Sequence, residues 1–360
     1  MLGYGSARAF GRAAALGAMA FLLVVLICPD IAQGKENALW ERYKKTFIAA
    51  DGRVIDFQQN ESSHSEGQGY SMLIAIDYGD RAVFDAIWAW TRKNLAVRAD
   101  GLMAWLWGKR INGSWGVIDY NNATDGDLLV ALALLKAGAK WNDQSLTKSG
   151  LAIAQAIRDH LQVSWMGRAY LLPGHFGFAF NGGFALNPSY QILPAFRRFA
   201  AEDKAGKEAW EKVLSDAHHL IARSCFGVMQ LPADWVNVDD KGVIRLSADK
   251  SVYSGKEAVR VFLYIAHEKE PHFPPGLDAM LSFYETQGYI PQQVNLVEGE
   301  VSIVRAPGGF YAVYGKAAAA KGKDALAKKL FSAGRGALDK ENRNYYSMAL
   351  YLLATSESAI

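Results

Sequence analysis

The chain has 360 residues, 51% of them hydrophobic and 12% aromatic, enough to bury one large core without forcing a second domain. Its formal charge is only +3 and no basic block occurs, which argues against nucleic acid as a partner. The 10 Trp, 16 Tyr and 17 Phe exceed what an ordinary core needs. Aromatic rings stack on the apolar faces of sugars, although most of these rings are expected to pack internally.

Residues 1–34 differ from the rest. Arg8 and Arg12 precede an apolar run from Ala13 to Ile27, followed by Pro29, Ala32 and Gly34. This is the pattern of a secretory signal peptide, with cleavage expected near Ala32 or Gly34. The run is short for a spanning helix, which needs about 20 residues, so no stable membrane insertion is expected after cleavage. The mature chain, 35–360, is expected to work in the periplasm or outside the cell. Cys225 would be its one cysteine, so no intrachain disulfide can form.

The mature chain reads as helix after helix. Leu39, Trp40, Tyr43 and Phe47 recur at helical spacing, as do Val83, Phe84, Ile87 and Trp90. The stretch from Leu128 to Ala139 is apolar on almost every side, as a buried inner helix would be. Further helices are expected near 146–161, 189–201, 207–223, 255–267, 275–285, 324–335 and 342–355. Turn residues punctuate them, among them Asp51-Gly52, Asn112-Gly113, Asn181-Gly182-Gly183 and Pro307-Gly308-Gly309. Short strand-like pieces occur at 243–246 and 310–314. The expected class is all-α in a single domain. Helix count alone leaves a barrel, a solenoid and an irregular bundle open.

Two acidic segments stand at helix starts. In His64-Ser65-Glu66-Gly67-Gln68-Gly69-Tyr70, Ser65 and Gln68 have the spacing of a capping box, and Glu66 falls in the first turn. A helix N-terminus lowers a carboxyl pKa, whereas a general acid needs it raised. Burial or a second carboxylate would have to prevail over the dipole. In Ala123-Thr124-Asp125-Gly126-Asp127, Thr124 and Asp127 repeat the capping-box spacing, which leaves Asp125 without a structural task. Two such acids converging on one pocket would make a pair suited to glycosidic bonds. On spacing alone, dipole complementation explains Glu66 as well.

These two segments resemble the signatures of family 8 glycoside hydrolases. Ser65 to Tyr70, with Met72, is similar to the general-acid motif. Ala123 to Asp127, with Ala131, Ala133, Leu134, Ala137 and Trp141, is similar to the second signature. Gly52 to Asp56, Ala104 to Lys109, Asn187-Pro188-Ser189-Tyr190, Asp234-Trp235-Val236 and Ala258-Val259-Arg260-Val261 resemble the branch associated with bacterial cellulose synthases. The likeness spans about residues 36–355. It implies an (α/α)6 barrel with β-1,4-glucan lying across the ends of the inner helices. It also implies endo-1,4-β-glucanase activity with inversion, beside cellulose synthesis and its export machinery. Glu66 carries over as the acid, and Asp125 as a second carboxylate at the cleavage point.

The family's usual base is an Asp immediately before an Ala-hydrophobic-Arg run, and this chain has Glu257 there. Three outcomes stay open: Glu257 is the base in an adjusted groove, Asp239 or Asp240 replaces it, or the protein is a slow or inactive glucan binder. Chitosan, xylan and mixed-linkage glucan are alternative substrates. Trp107, Tyr190, Trp235 and Tyr253, in or beside motif loops, are candidate sugar-stacking residues. Arg260 is a candidate for binding a hydroxyl or holding the base. His64, His175, His218 and His219 have no metal-ligand spacing with any acid pair, and no phosphate-cradling glycine loop occurs. Neither a metal nor a cofactor is expected.

Overall fold

The structure is a computed structural model that describes the backbone from residue 29 and side chains from residue 37. Most of the expected signal peptide therefore lies outside the described residues. Twelve α-helices follow in chain order among those described: α1 (Pro29–Phe47), α2 (Ser65–Asp77), α3 (Arg81–Asn94), α4 (Thr124–Trp141), α5 (Gln144–Leu161) and α6 (Leu193–Glu202) form the first half. The second half is α7 (Lys207–Arg223), α8 (Val259–Ala266), α9 (Gly276–Gln287), α10 (Gly308–Ala320), α11 (Asp324–Leu338) and α12 (Tyr345–Thr355).

Composition sorts the helices into two layers. Every residue of α8 is buried, and α4 is buried continuously from Thr124 to Leu135. Helices α2, α10 and α12 are almost as fully enclosed. The others bury one stripe at helical spacing, such as Phe84, Ile87 and Trp90 on α3, or Trp210, Val213, Ala217 and Leu220 on α7. A helix apolar all round must be surrounded, and one with a single stripe must lie outside. The packing agrees. Helices α2, α4, α6, α8, α10 and α12 touch in sequence, and α12 returns to α2, closing a ring. Helix α1 packs on α12, α3 on α2, α5 on α4, α7 on α6, and α9 and α11 on α10. This is the expected (α/α)6 barrel, with one contiguous hydrophobic core.

Each inner helix is reached through an outer one, so the inner N-termini gather at one end of the barrel. Short strands decorate the connections that enter them. Ser63–His64 pairs with Leu106–Lys109, which pairs with Trp115–Asp119. Gly183–Leu186 pairs with Val236–Asp239, and Tyr253–Ser254 with Val294–Asn295. The strand-like piece expected at 243–246 is a strand over Ile244–Leu246. The strand-like piece at 310–314 is not a strand but part of α10, with Phe310 to Gly315 all buried. A helix enclosed on every side shows no 3.6-residue rhythm, so its β-prone Phe, Tyr and Val mimic a buried strand. No helix among the described residues is long and apolar enough to cross a membrane.

Candidate active site

Glu66 is the second residue of α2, and the chain leading to it is pinned. Ser63 and His64 pair with Trp107 and Leu106, and the Ser65 N–H donates to the Trp105 carbonyl at 3.1 Å. The expected capping box is absent. His64 is the N-cap and makes no side-chain cap bond, and buried Ser65 Oγ has no partner. Gln68 turns outward instead. Its Oε1 accepts the Val54 N–H at 2.7 Å, and its Nε2 donates to Thr91 Oγ1 at 2.8 Å. It thus fastens the loop after α1 to α3, a tertiary task that capping-box spacing does not reveal.

Asp125 is the second residue of α4, and here too the capping box fails to form. Thr124 Oγ1 donates to the Leu172 carbonyl at 2.6 Å. Asp127 accepts from the Met103 N–H and from Asn122 Nδ2, both at 2.9 Å. Gly126 explains why two helix starts meet. A Cβ there would lie 2.1 Å from Ser65 Oγ and 2.8 Å from the Glu66 nitrogen. Only a residue without a side chain lets the α4 N-terminus abut that of α2, and this contact makes Glu66 and Asp125 neighbours.

The third element is the start of α8. Arg260, 1% exposed, donates from Nη1 to Glu66 Oε2 at 2.9 Å and to Asp125 Oδ2 at 2.8 Å, and from Nη2 to Glu257 Oε2. Three carboxylates from three inner-helix starts therefore share one guanidinium. Asn187 Nδ2 donates to the same Glu257 oxygen at 3.2 Å, while Asn187 Oδ1 caps the 3-10 turn Pro188–Tyr190. The turn carrying Glu257 is itself held. Asp234 Oδ1 accepts the N–H groups of Gly255 and Ala258, both at 2.9 Å, and Tyr346 Oη donates to the Lys256 carbonyl at 2.7 Å.

Electrostatics separate the carboxylates. Burial raises the Glu66 carboxyl well above its usual range. The Arg260 charge opposes that shift, while Asp125 and Glu257 reinforce it. Burial and two like charges thus overcome the helix dipole. Glu66 keeps 21% side-chain exposure, so this is a walled pocket rather than a sealed interior. Burial also pulls the Arg260 pKa down, but Glu257, Tyr70 and Glu66 more than reverse that, so it stays a cation. Burial pushes Asp127 up to about 7 and Asp234 up to about 6.

A cavity of about 650 Å³ opens over this cluster, lined by Glu66, Asp125, Glu257 and Arg260 together with Tyr190, Trp105, Tyr345 and Tyr346. A second space of about 390 Å³ shares Lys256, Glu257 and Gln292 with it and holds Trp235, Tyr253 and Asp234. The ring of Tyr190 faces the Arg260 guanidinium at 5.5 Å. Trp107 lines neither space. It packs edge-on to Trp90 at 5.2 Å and stacks on Trp115 at 5.3 Å, beneath Arg53. Asp239 is tied to Arg245 and to its own turn, and Asp240 is exposed; neither lines the cavity. Trp105, Asn187 and Asp234 are site residues the sequence reading did not single out, although each lies inside a motif segment. Among the described residues, no group of three His, Cys, Asp or Glu could hold a metal ion.

The wider comparisons agree with this arrangement. Residues 14–358 match the model of Glycosyl hydrolases family 8. The chain is 34% identical over 301 residues to an endoglucanase of Cellulomonas uda, covering 83% of this chain and 82% of that protein. It is 33% identical to a probable endoglucanase of Novacetimonas hansenii, covering 87% and 88%. Its backbone is similar to the solved endo-beta-1,4-glucanase CMCax of Acetobacter xylinum, with a TM-score of 0.78 and 32% identity over 90% of this chain and 99% of that one. With three carboxylates gathered at the mouth of an (α/α)6 barrel and these matches over most of its length, the chain belongs to the glycosyl hydrolases family 8 and is a glycoside hydrolase.

Proposed function

We propose that the chain is an endo-acting β-1,4-glucanase that inverts the anomeric centre, exported to the periplasm and acting on glucan beside a cellulose synthase. The observation that carries this reading is the Arg260 hub, with Glu66 and Glu257 on different guanidinium nitrogens. Glu66 Oε2 faces the Arg260 donor, so its proton belongs on Oε1, where it can pass to the glycosidic oxygen. Glu257 commits Oε2 to Arg260 and Asn187, which leaves Oε1 to accept a proton from water. Asp125 accepts from the Gly126 N–H at 2.9 Å and from Arg260, which hold its carboxyl group where it can stabilise positive charge on the sugar. No covalent intermediate is needed when a separate base activates water. The names of the Cellulomonas and Novacetimonas relatives support an endoglucanase, and that of the Acetobacter relative supports β-1,4-glucan as substrate.

The test is release of reducing ends from carboxymethyl cellulose by the wild type, Glu66→Gln and Glu257→Gln. Loss of activity in both folded variants upholds the assignment. Full activity of Glu257→Gln would move the base elsewhere. A wild type inert on this and on other β-glucans, chitosan and xylan would favour a glucan-binding protein.

A further inference from the structure

The cavity wall beside Glu66 carries three buried polar residues that the hydrolytic steps do not use. Asp56, His64 and Tyr345 are 4%, 7% and 5% exposed, and all three line the cavity. They form a chain. Asp56 Oδ2 lies 3.3 Å from His64 Nε2, and His64 Nδ1 lies 3.1 Å from Tyr345 Oη. The imidazole is fixed between two rings, 6.3 Å from Trp105 and 5.6 Å from Tyr345. Tyr345 in turn packs on Phe47 and against Gly67, the residue after Glu66.

Charge sets the direction of this chain. The His64 contact and the Gln58 N–H outweigh burial and hold the Asp56 carboxyl below its usual range, so it is an anion. The Nε2–H is not aimed squarely at Asp56, and the contact is electrostatic rather than a well-formed hydrogen bond. A bare nitrogen lone pair facing a carboxylate oxygen would still be repelled. On a neutral ring that repulsion places the proton on Nε2, and Nδ1 becomes an acceptor. Tyr345 must donate to it. A phenol has one proton, so Tyr345 Oη can then only accept from a ligand.

We propose that Asp56 and His64 are positioning residues that fix Tyr345 as a hydrogen-bond acceptor for a free sugar hydroxyl beside Glu66, so that this end of the cavity selects unsubstituted glucan. The inference rests on the glucanase reading. An O-methyl group at that hydroxyl removes the donor, whereas an untethered tyrosine could rotate its proton to serve an ether oxygen.

Two measurements on the full chain test it. Nitrogen-15 NMR of the His64 ring reads its protonation without turnover: a proton on Nε2 with Nδ1 bare is expected, and a proton on Nδ1, in a neutral or a doubly protonated ring, would overturn the proposal. Steady-state kinetics on cellohexaose and on partially O-methylated cellohexaose supply the second. Tyr345→Phe keeps the ring packing and should lower kcat/KM on cellohexaose by about tenfold while changing that on the methylated substrate little. Asp56→Asn should narrow the same preference and add nothing in the Tyr345→Phe background. An unchanged preference in Tyr345→Phe, or losses that multiply in the double variant, would refute the relay. A wild type that cuts no β-glucan would defeat the glucanase reading instead, and the tautomer would still decide the relay.

Discussion

Arg260 and Asp125 form a buried ion pair: Nη1 lies 2.8 Å from Oδ2, and each side chain is 1% exposed. The same guanidinium reaches Glu66 and Glu257, so one residue organises the whole cluster. Arg260→Gln leaves three carboxylates facing one another without a cation. Removing one partner of a buried pair costs about 3–5 kcal/mol. Urea unfolding should show a loss of that order. Activity on carboxymethyl cellulose should fall at least about a hundredfold through lost geometry. A variant with wild-type stability would contradict the hub.

Burial raises the Glu66 carboxyl, and in the proposed acid role its protonated form is the active one. Activity should therefore be lost as pH rises through its folded pKa, which lies above the ordinary carboxylate range. The alkaline limb of kcat/KM reports this group. Glu66→Gln should cost about 100- to 10,000-fold on cellohexaose. The loss should shrink on an aryl cellobioside whose leaving group needs no proton. An equal loss on both substrates would remove Glu66 from the acid role.

Gly126 should tolerate no side chain. Alanine there must push Ser65 and the Glu66 backbone away, since its Cβ would meet them at 2.1 and 2.8 Å. Overpacking of this kind costs about 1–3 kcal/mol. Gly126→Ala should unfold earlier in urea and lose activity together. Adding Ser65→Ala should recover only part of the stability, because the Glu66 nitrogen stays in the way.

Asp127, fully buried and pushed up to about 7, makes a prediction of stability against pH. Below the ordinary aspartate pKa it is protonated folded or unfolded. As pH rises toward about 7 the unfolded chain releases this proton and the folded chain keeps it, so folding weakens across that window. Melting temperatures of the wild type minus those of Asp127→Asn should fall between about pH 4 and 7 and then level off. A flat difference would show that Asp127 ionises normally in place.

The sequence was most legible where periodicity or a motif stood alone. The span 207–223 and the buried character of α4 followed from residue pattern, and the acids from resemblance. The failures arise from tertiary surroundings that local pattern does not show. Ser65, Gln68, Thr124 and Asp127 have local capping chemistry, but Gln68, Thr124 and Asp127 spend it on partners distant in sequence, and Ser65 Oγ is left unpaired. Phe310 to Tyr314 look like a strand because an enclosed helix needs no polar face. Asn187 and Asp234 hold Glu257 from 70 and about two dozen residues away, respectively, and no local signal marks such contacts. Trp107 sits in a matched segment yet packs among Trp90, Trp115 and Arg53.

In the proposed mechanism Glu66 and Glu257 act from separate nitrogens of Arg260, one as acid and one as base for water. Proton NMR of cellohexaose during the first minutes of hydrolysis tests it most directly. The new reducing ends should appear as the α-anomer and only later equilibrate to β. New ends that appear first as the β-anomer would mean retention through a covalent intermediate, and would contradict it.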